Sequence, residues 1–347
     1  MDLSEQKVEY NVRLGPNVHA NIDGPTIIGI EQTALEDEGV KAEIKKLELP
    51  EGSVVVCDPW YVTLSHTVFQ ITALTCHRIY GSDGIDDDEY LIQCFLYMRD
   101  PKNSSEQDSN HYAHPLPLSP VVNVETNKVI RIDHVPTGAG LGGWKGGRWP
   151  VREPNEYIPE TQTLRTDLKP LHVVQPEGAS FTVSEQGTSR VVEWQKWSFR
   201  VGFNQREGMV LYNVRYDDRS LFYRLSLSEM SIPYADPRQP FVRKSAFDLG
   251  DAGAGLMAND LKLGCDCLGS IHYLSFDLST DKGESVEMPN VVCIHEQDGG
   301  IGWKHTNYRT GRAAVVRQRE LVLQSIITVA NYEYIVSSAV ISLSELC

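Results

Sequence analysis

The 347-residue sequence carries 47 acidic against 32 basic side chains, a formal charge of −15 and a pI near 5.1. That balance opposes the neutralisation of phosphates and excludes a nucleic-acid partner. No run approaches the roughly 20 apolar residues of a membrane span, and Met1 to Lys7 lack the basic start and apolar stretch of a signal peptide, so a soluble, non-secreted chain is expected. Seven cysteines are too few for a disulfide scaffold and show no paired C-x2-C zinc spacing. The length suffices for two domains of ordinary size, with one large β domain left open.

Taken in chain order, Gln32 to Leu47 places Leu35, Val40, Ile44 and Leu47 on one side of an amphipathic helix. Strands follow at Ser53–Cys57, Thr67–Tyr80 and Tyr90–Met98, rich in Val, Ile, Phe, Tyr and Thr. The acidic segment around Asp83, Asp86, Asp87 and Asp88 lacks the ligand order of a calcium loop and is read as a solvated turn. Asn103-Ser104-Ser105 matches a glycosylation acceptor, which has no meaning without secretion. Val121–Val124 and Lys128–His134 flank a Glu125-Thr126-Asn127 turn and close an α+β unit near residue 136.

From Pro136 to Pro170 glycines and prolines dominate, the composition of an extended connection. Gly138 to Gly143 matches the dinucleotide pattern G-x-G-x-x-G. The Trp144–Pro150 segment that follows cannot open the helix whose N-terminus would face a pyrophosphate, so no nucleotide site is expected. After Ser180, strands are predicted at Val191–Phe203, Gly208–Tyr216, Ser220–Leu227, Ser270–Phe276, Val291–His295 and Leu321–Val336, the pattern of a large, mostly antiparallel β-sandwich.

Few residues announce chemistry by themselves. Asp248 sits in Phe247-Asp248-Leu249-Gly250-Asp251, where glycine lets the backbone turn sharply beside a carboxylate, although on turn preferences alone a simple β-turn aspartate is the favoured reading. Tyr332 follows an apolar strand and reads as a packing tyrosine. The ten histidines include no H-x-H and no H-E-x-x-H pattern.

Ordered segments add what single residues do not. Thr328-Val329-Ala330-Asn331-Tyr332-Glu333-Tyr334 resembles the T-x-x-N-Y-[DE]-[YN] signature of the copper-containing amine oxidases, and Phe247–Gly253 resembles their x-D-x-G-[ED]-x-G segment. Trp194–Phe199 with Arg206-Glu207-Gly208, Tyr223–Met230 leading to Pro233-Tyr234, Leu263–Cys267 and Cys293–Glu296 are similar to further family segments in the same order. The resemblance is strong from about Ser180 to Val336 and weaker from about Pro25 to Val135.

The resemblance implies a small α+β domain followed by a large, incomplete antiparallel β-sandwich catalytic domain. Residues 1–24 would be the remnant of a preceding small domain, 25–136 the α+β domain, 137–180 the Gly/Pro-rich linker and 181–347 the N-terminal part of the sandwich. It implies oxidative deamination of primary amines to aldehyde, ammonia and hydrogen peroxide, with dioxygen as co-substrate. Tyr332 would be modified to topaquinone, the Schiff-base quinone that condenses with the amine. Asp248 would be the proton acceptor, its pKa raised by burial. Tyr234 would hydrogen-bond a quinone oxygen and Asn331 would hold the ring in orientation.

Ala246, Leu249, Gly250, Ala254, Gly255, Val329 and Ala330 would line the substrate channel. Cys267 and Cys293 would form the family's disulfide. The family's copper ligands, an H-x-H pair and a third histidine, lie downstream of the quinone tyrosine, so no copper ligand is expected within this chain. Ser337–Cys347 departs from the family pattern, and a C-terminally truncated, inactive homologue is the alternative expectation. A homodimer is implied for the full-length protein, in a cytoplasmic or peroxisomal setting.

Overall fold

The computed structural model describes residues 8, 10–12, 24–60, 89–101, 108–138, 143–151, 156–186, 189–230, 232–234, 236–241, 244–246, 249, 253–280, 282–329 and 332–346. The predicted strand Thr67–Tyr80, the acidic segment 83–88, Asn103-Ser104-Ser105 and most of Gly138–Gly143 lie outside them. The chain forms two compact units, residues 1–166 with 231–246, and residues 167–230 with 247–347.

In the first unit, helices α1 (Gly24–Glu36) and α2 (Glu38–Lys45) precede strands β1 (Val54–Trp60), β2 (Leu91–Arg99), β3 (Leu118–Asn123) and β4 (Lys128–His134). The strands form one antiparallel sheet in chain order. Ile30, Ala34, Val40 and Leu47 are buried against Cys57, Ile92, Leu96 and Met98, so the apolar stripe of the helices meets one face of the sheet. The single helix expected over 32–47 is two. Asp37 takes an extended conformation and its carboxylate accepts from Val40 N–H at 3.0 Å, an N-cap that ends α1 and starts α2. The predicted Glu125-Thr126-Asn127 turn is present, with Asn127 at φ 51° and Asn123 Oδ1 accepting from Thr126 N–H at 2.9 Å. A short pair, β10 (Ile232–Pro233) and β11 (Ser245–Ala246), also belongs to this unit.

The second unit is a β-sandwich. One sheet contains β5 (Thr182–Gln186), β6 (Ser189–Trp194), β7 (Trp197–Asn204), β8 (Gly208–Tyr216) and β9 (Arg219–Ser226). The other contains β12 (His272–Ser279), β13 (Ser285–Thr306), β14 (Ala313–Val329) and β15 (Tyr332–Leu346). Val192, Trp194, Phe199 and Leu211 of the first sheet share a core with Leu274, Val292, Ile294, Leu321 and Leu323 of the second, the inner faces of two antiparallel meanders.

Two predicted strands are in fact hairpins. Val191–Phe203 is split where Gln195 takes φ 54° between the paired residues Trp194 and Trp197. Leu321–Val336 is split between Val329 and Tyr332, which pair with each other. Ser337–Leu346, set apart from the family pattern on sequence, continues β15 along β14.

Candidate active site

Tyr332 opens β15 on a register of Val329 with Tyr332, Thr328 with Glu333 and Ile327 with Tyr334. Ala330 and Asn331, between the two strands in sequence, lie outside the described residues, as do Asp248 and Gly250. Alternation along a strand puts Tyr332 and Tyr334 on one face. Tyr334 packs with Leu249, Ala254 and Ile327, joined by Val329 and Met230, whereas Tyr332 stays 39% exposed. The residue after Asp248 and the residue two beyond Tyr332 therefore meet in one cluster.

The opposite edge of β14 carries residues 257–259. Thr328 N–H donates to Met257 O at 3.0 Å and Asn259 N–H to Ile326 O at 2.8 Å, with Ala258 bridged to Ile327. Asn259 Nδ2 donates to Thr328 Oγ1 at 2.9 Å, and Thr328 Oγ1 donates to Glu333 at 2.6 Å. This chain of side-chain hydrogen bonds crosses three neighbouring segments and fixes the strand end beside Tyr332.

The loop upstream is held by backbone contacts. Gly253 N–H donates to Leu249 O at 2.9 Å, Ala254 N–H to Arg206 O at 2.9 Å and Gly255 N–H to Gln205 O at 2.9 Å. At Gly255 the approach is so close that an added Cβ would stand 2.0 Å from Asn204 O and 2.8 Å from its carbonyl carbon. Backbone cannot give way as a side-chain end can. Gly255→Ala is therefore expected to cost roughly 1–3 kcal/mol. Gly29→Ala, where nothing lies within 4 Å, should be neutral or slightly stabilising in its helix. Urea midpoints of the two variants check this contrast.

Of the proposed channel residues, Leu249 and Ala254 are fully buried and Val329 is half-buried. Tyr234 and Ala246 belong to the first unit, and Tyr332 to the second. A cleft of about 610 Å³ runs between Met209, Leu225 and Leu227 on one side and Glu333–Ser338 on the other. Glu207, in the turn between β7 and β8, accepts from Arg224, Ser226, Asn204 and Ser228, and these contacts, led by the Arg224 guanidinium, hold its pKa down to about 2.

Cys267 and Cys293 are disulfide-bonded and buried beside Leu261. The bridge closes a 26-residue separation. Loop-closure entropy gives it roughly 3 kcal/mol, so Cys267→Ser with Cys293→Ser should lower the unfolding free energy by about that amount, readable in urea titrations.

Sequence reasoning missed Glu296, Thr328, Asn259 and Lys244. Glu296 lay within one of the matched segments, and Trp194, its partner here, within another. Only the fold joins them.

Tyr332 offers an exposed phenol ring beside the end of β14, which is held on both edges, and this suits a ring that must be modified and then reached by a small molecule. Among the described residues no group of three or more His, Cys, Asp or Glu could hold a metal ion, and no step is assigned to one.

The sandwich carries, in one unit, the ordered segments around Tyr332 that resemble the copper amine oxidases. Residues 185–340 match the profile of the copper amine oxidase enzyme domain. The chain is 43% identical over 339 residues to copper amine oxidase 1 of Aspergillus niger, covering 96% of this chain and 47% of that protein. It is 49% identical over 332 residues to the peroxisomal, copper-containing diamine oxidase 1 of Nicotiana tabacum, covering 92% and 38%. The crystal structure of a copper-containing benzylamine oxidase from Hansenula polymorpha superposes with a TM-score of 0.78 at 42% identity, covering 98% of this chain and 50% of that one. The chain belongs to the copper amine oxidase family. It spans about half, or less, of the length of these relatives.

Proposed function

We propose that the full-length protein oxidises primary amines to aldehydes, with ammonia and hydrogen peroxide as the other products, using a topaquinone made from Tyr332. The observation that carries this reading is the braced strand end: Tyr332 partly exposed, with Leu249, the residue after Asp248, and Tyr334, two residues beyond Tyr332, packed in one cluster. The quinone supplies an electrophilic carbonyl and an electron sink.

The chain's own residues do the rest. Asp248 accepts the proton from the carbon that carries the amine nitrogen. Tyr234 holds the ring by a hydrogen bond, and Asn331 restricts its rotation. Ala246, Gly250, Gly255, Val329 and Ala330 shape the amine channel, with Leu249 and Ala254 supporting its wall from behind. Copper, held by residues other than those described, would supply the oxidising chemistry that makes the quinone from the Tyr332 ring.

The outer half of β13 and the turn that follows it leave Ile301, Trp303 and Tyr308 exposed, an apolar ribbon suited to a second copy and hence to a homodimer. No helix among the described residues is long and apolar enough to cross a membrane, and a peroxisomal setting agrees with the name of the tobacco relative.

The test is a panel of primary amines offered to the full-length, copper-loaded protein. Equimolar aldehyde, ammonia and peroxide are expected for at least one amine. Absence of amine-dependent peroxide across methyl, benzyl and longer aliphatic amines would contradict the reading.

A further inference from the structure

Lys244 stands out in the first unit, because its charge is enclosed by rings. Its Nζ lies 4.1 Å from the centroid of the Trp60 ring, 4.6 Å from Tyr234 and 4.9 Å from Phe95. All three fall within the roughly 6 Å over which a ring face attracts a cation. The rings support one another: Trp60 meets Tyr234 edge to face at 5.2 Å and 87°, and Phe241 stacks on Phe95 at 5.6 Å and 7°. The backbone closes on the same residue, since Tyr234 N–H donates to Lys244 O at 2.9 Å and Lys244 N–H donates to Phe241 O at 2.8 Å. The Asp58 carboxylate acts on it electrostatically and also accepts from Tyr112 Oη at 2.6 Å.

We propose that Lys244 is the positioning residue of Tyr234: its ammonium, seated against both the Tyr234 and the Trp60 rings, holds the two edge to face and so fixes where the Tyr234 hydroxyl points. This rests on Tyr234 being the tyrosine that holds the quinone ring, as proposed above. Burial draws the Lys244 pKa down to about 8, with Asp58 pulling it back. The ring faces also favour the charged form, so the pin is charged at neutral pH. A neutral side chain of equal reach would fill the box without gripping it. A guanidinium would grip it and stack.

The experiment compares Lys244→Met and Lys244→Arg in the full-length, copper-loaded protein, with wild type labelled at lysine Cε by carbon-13. One Cε resonance displaced upfield by ring currents, and missing from Lys244→Arg, is expected and reports the box without turnover. Lys244→Met should lose about tenfold or more in kcat with KM within twofold, and Lys244→Arg should recover to within about threefold of wild type. A lysine spectrum without a displaced resonance overturns the box itself. A displaced resonance with an unchanged kcat in Lys244→Met overturns the positioning role, as does a parallel loss in both variants. A wild type without a phenylhydrazine adduct on Tyr332 overturns the parent reading and this one with it, and that result is distinguishable because the resonance is read independently.

Discussion

Asp248→Asn in the full-length, copper-loaded protein is expected to lower kcat by roughly 10²–10⁴-fold, the span that a positioned general base contributes. Asparagine keeps the shape of the side chain but cannot accept a proton from carbon. The quinone itself should still form, because its precursor is Tyr332. The variant should therefore react with phenylhydrazine on Tyr332 while turning over amine slowly. Tyr332→Phe should lose both signals, since its ring lacks the hydroxyl from which the quinone is built. Steady-state kinetics with an amine deuterated at the reacting carbon, read beside adduct formation, separates the two roles. An Asp248→Asn protein within threefold of wild type would remove Asp248 from the mechanism.

Glu296→Ala is expected to be the most damaging single change to the second unit, at roughly 3–5 kcal/mol. The carboxylate is buried and collects Trp194 Nε1 at 3.0 Å, Ser180 N–H at 2.7 Å and Gln175 Nε2 at 2.9 Å, with Arg319 at 3.6 Å. It thereby ties residues 175 to 180 and strand β6 to β13. Truncation would leave buried donors unpaired, which costs more than the bonds contribute. Burial alone would raise the Glu296 pKa, but the Ser180 amide, Gln175, Trp194 and the Arg319 charge outweigh it and hold the carboxyl below its ordinary range.

The sign of the pH dependence follows from that depression. The unfolded chain binds this proton more readily, so the stabilisation is complete above the unfolded carboxylate range near pH ~4.3 and is lost as the pH falls through the lower folded value. Urea midpoints between pH 3 and 7 should fall at the acid end for wild type and less steeply for Glu296→Gln. Equal slopes would show that the contacts of Glu296 do not set its proton affinity.

Much of the fold was legible where a single period governs a segment. Lys128–His134 and Gly208–Tyr216 are strands over the predicted spans, because β-branched and aromatic residues alternate there between clear turn signals. The failures have local causes. Asp37 breaks the predicted helix because its carboxylate competes for the Val40 amide. Gln195-Lys196 lacks the glycine or asparagine that usually marks a two-residue turn, so a hairpin read as one strand.

Residues 231–246 fold with the first unit although they interrupt the second in sequence, a property of long-range packing that no local pattern encodes. The candidate site divides in the same way. The signature around Tyr332 was visible as residues in order, whereas the Asn259–Thr328–Glu333 chain, the Trp194–Glu296 bond across 102 positions and the rings around Lys244 exist only once strands have paired.

The most direct test of the central claim is a mass spectrum of the peptide containing Tyr332, taken from full-length protein expressed with copper and treated with phenylhydrazine. A hydrazone adduct on Tyr332 is the predicted result, because only a quinone carbonyl at that ring would capture the reagent there. An unmodified Tyr332 in copper-loaded protein would contradict the assignment of this residue as the source of the cofactor.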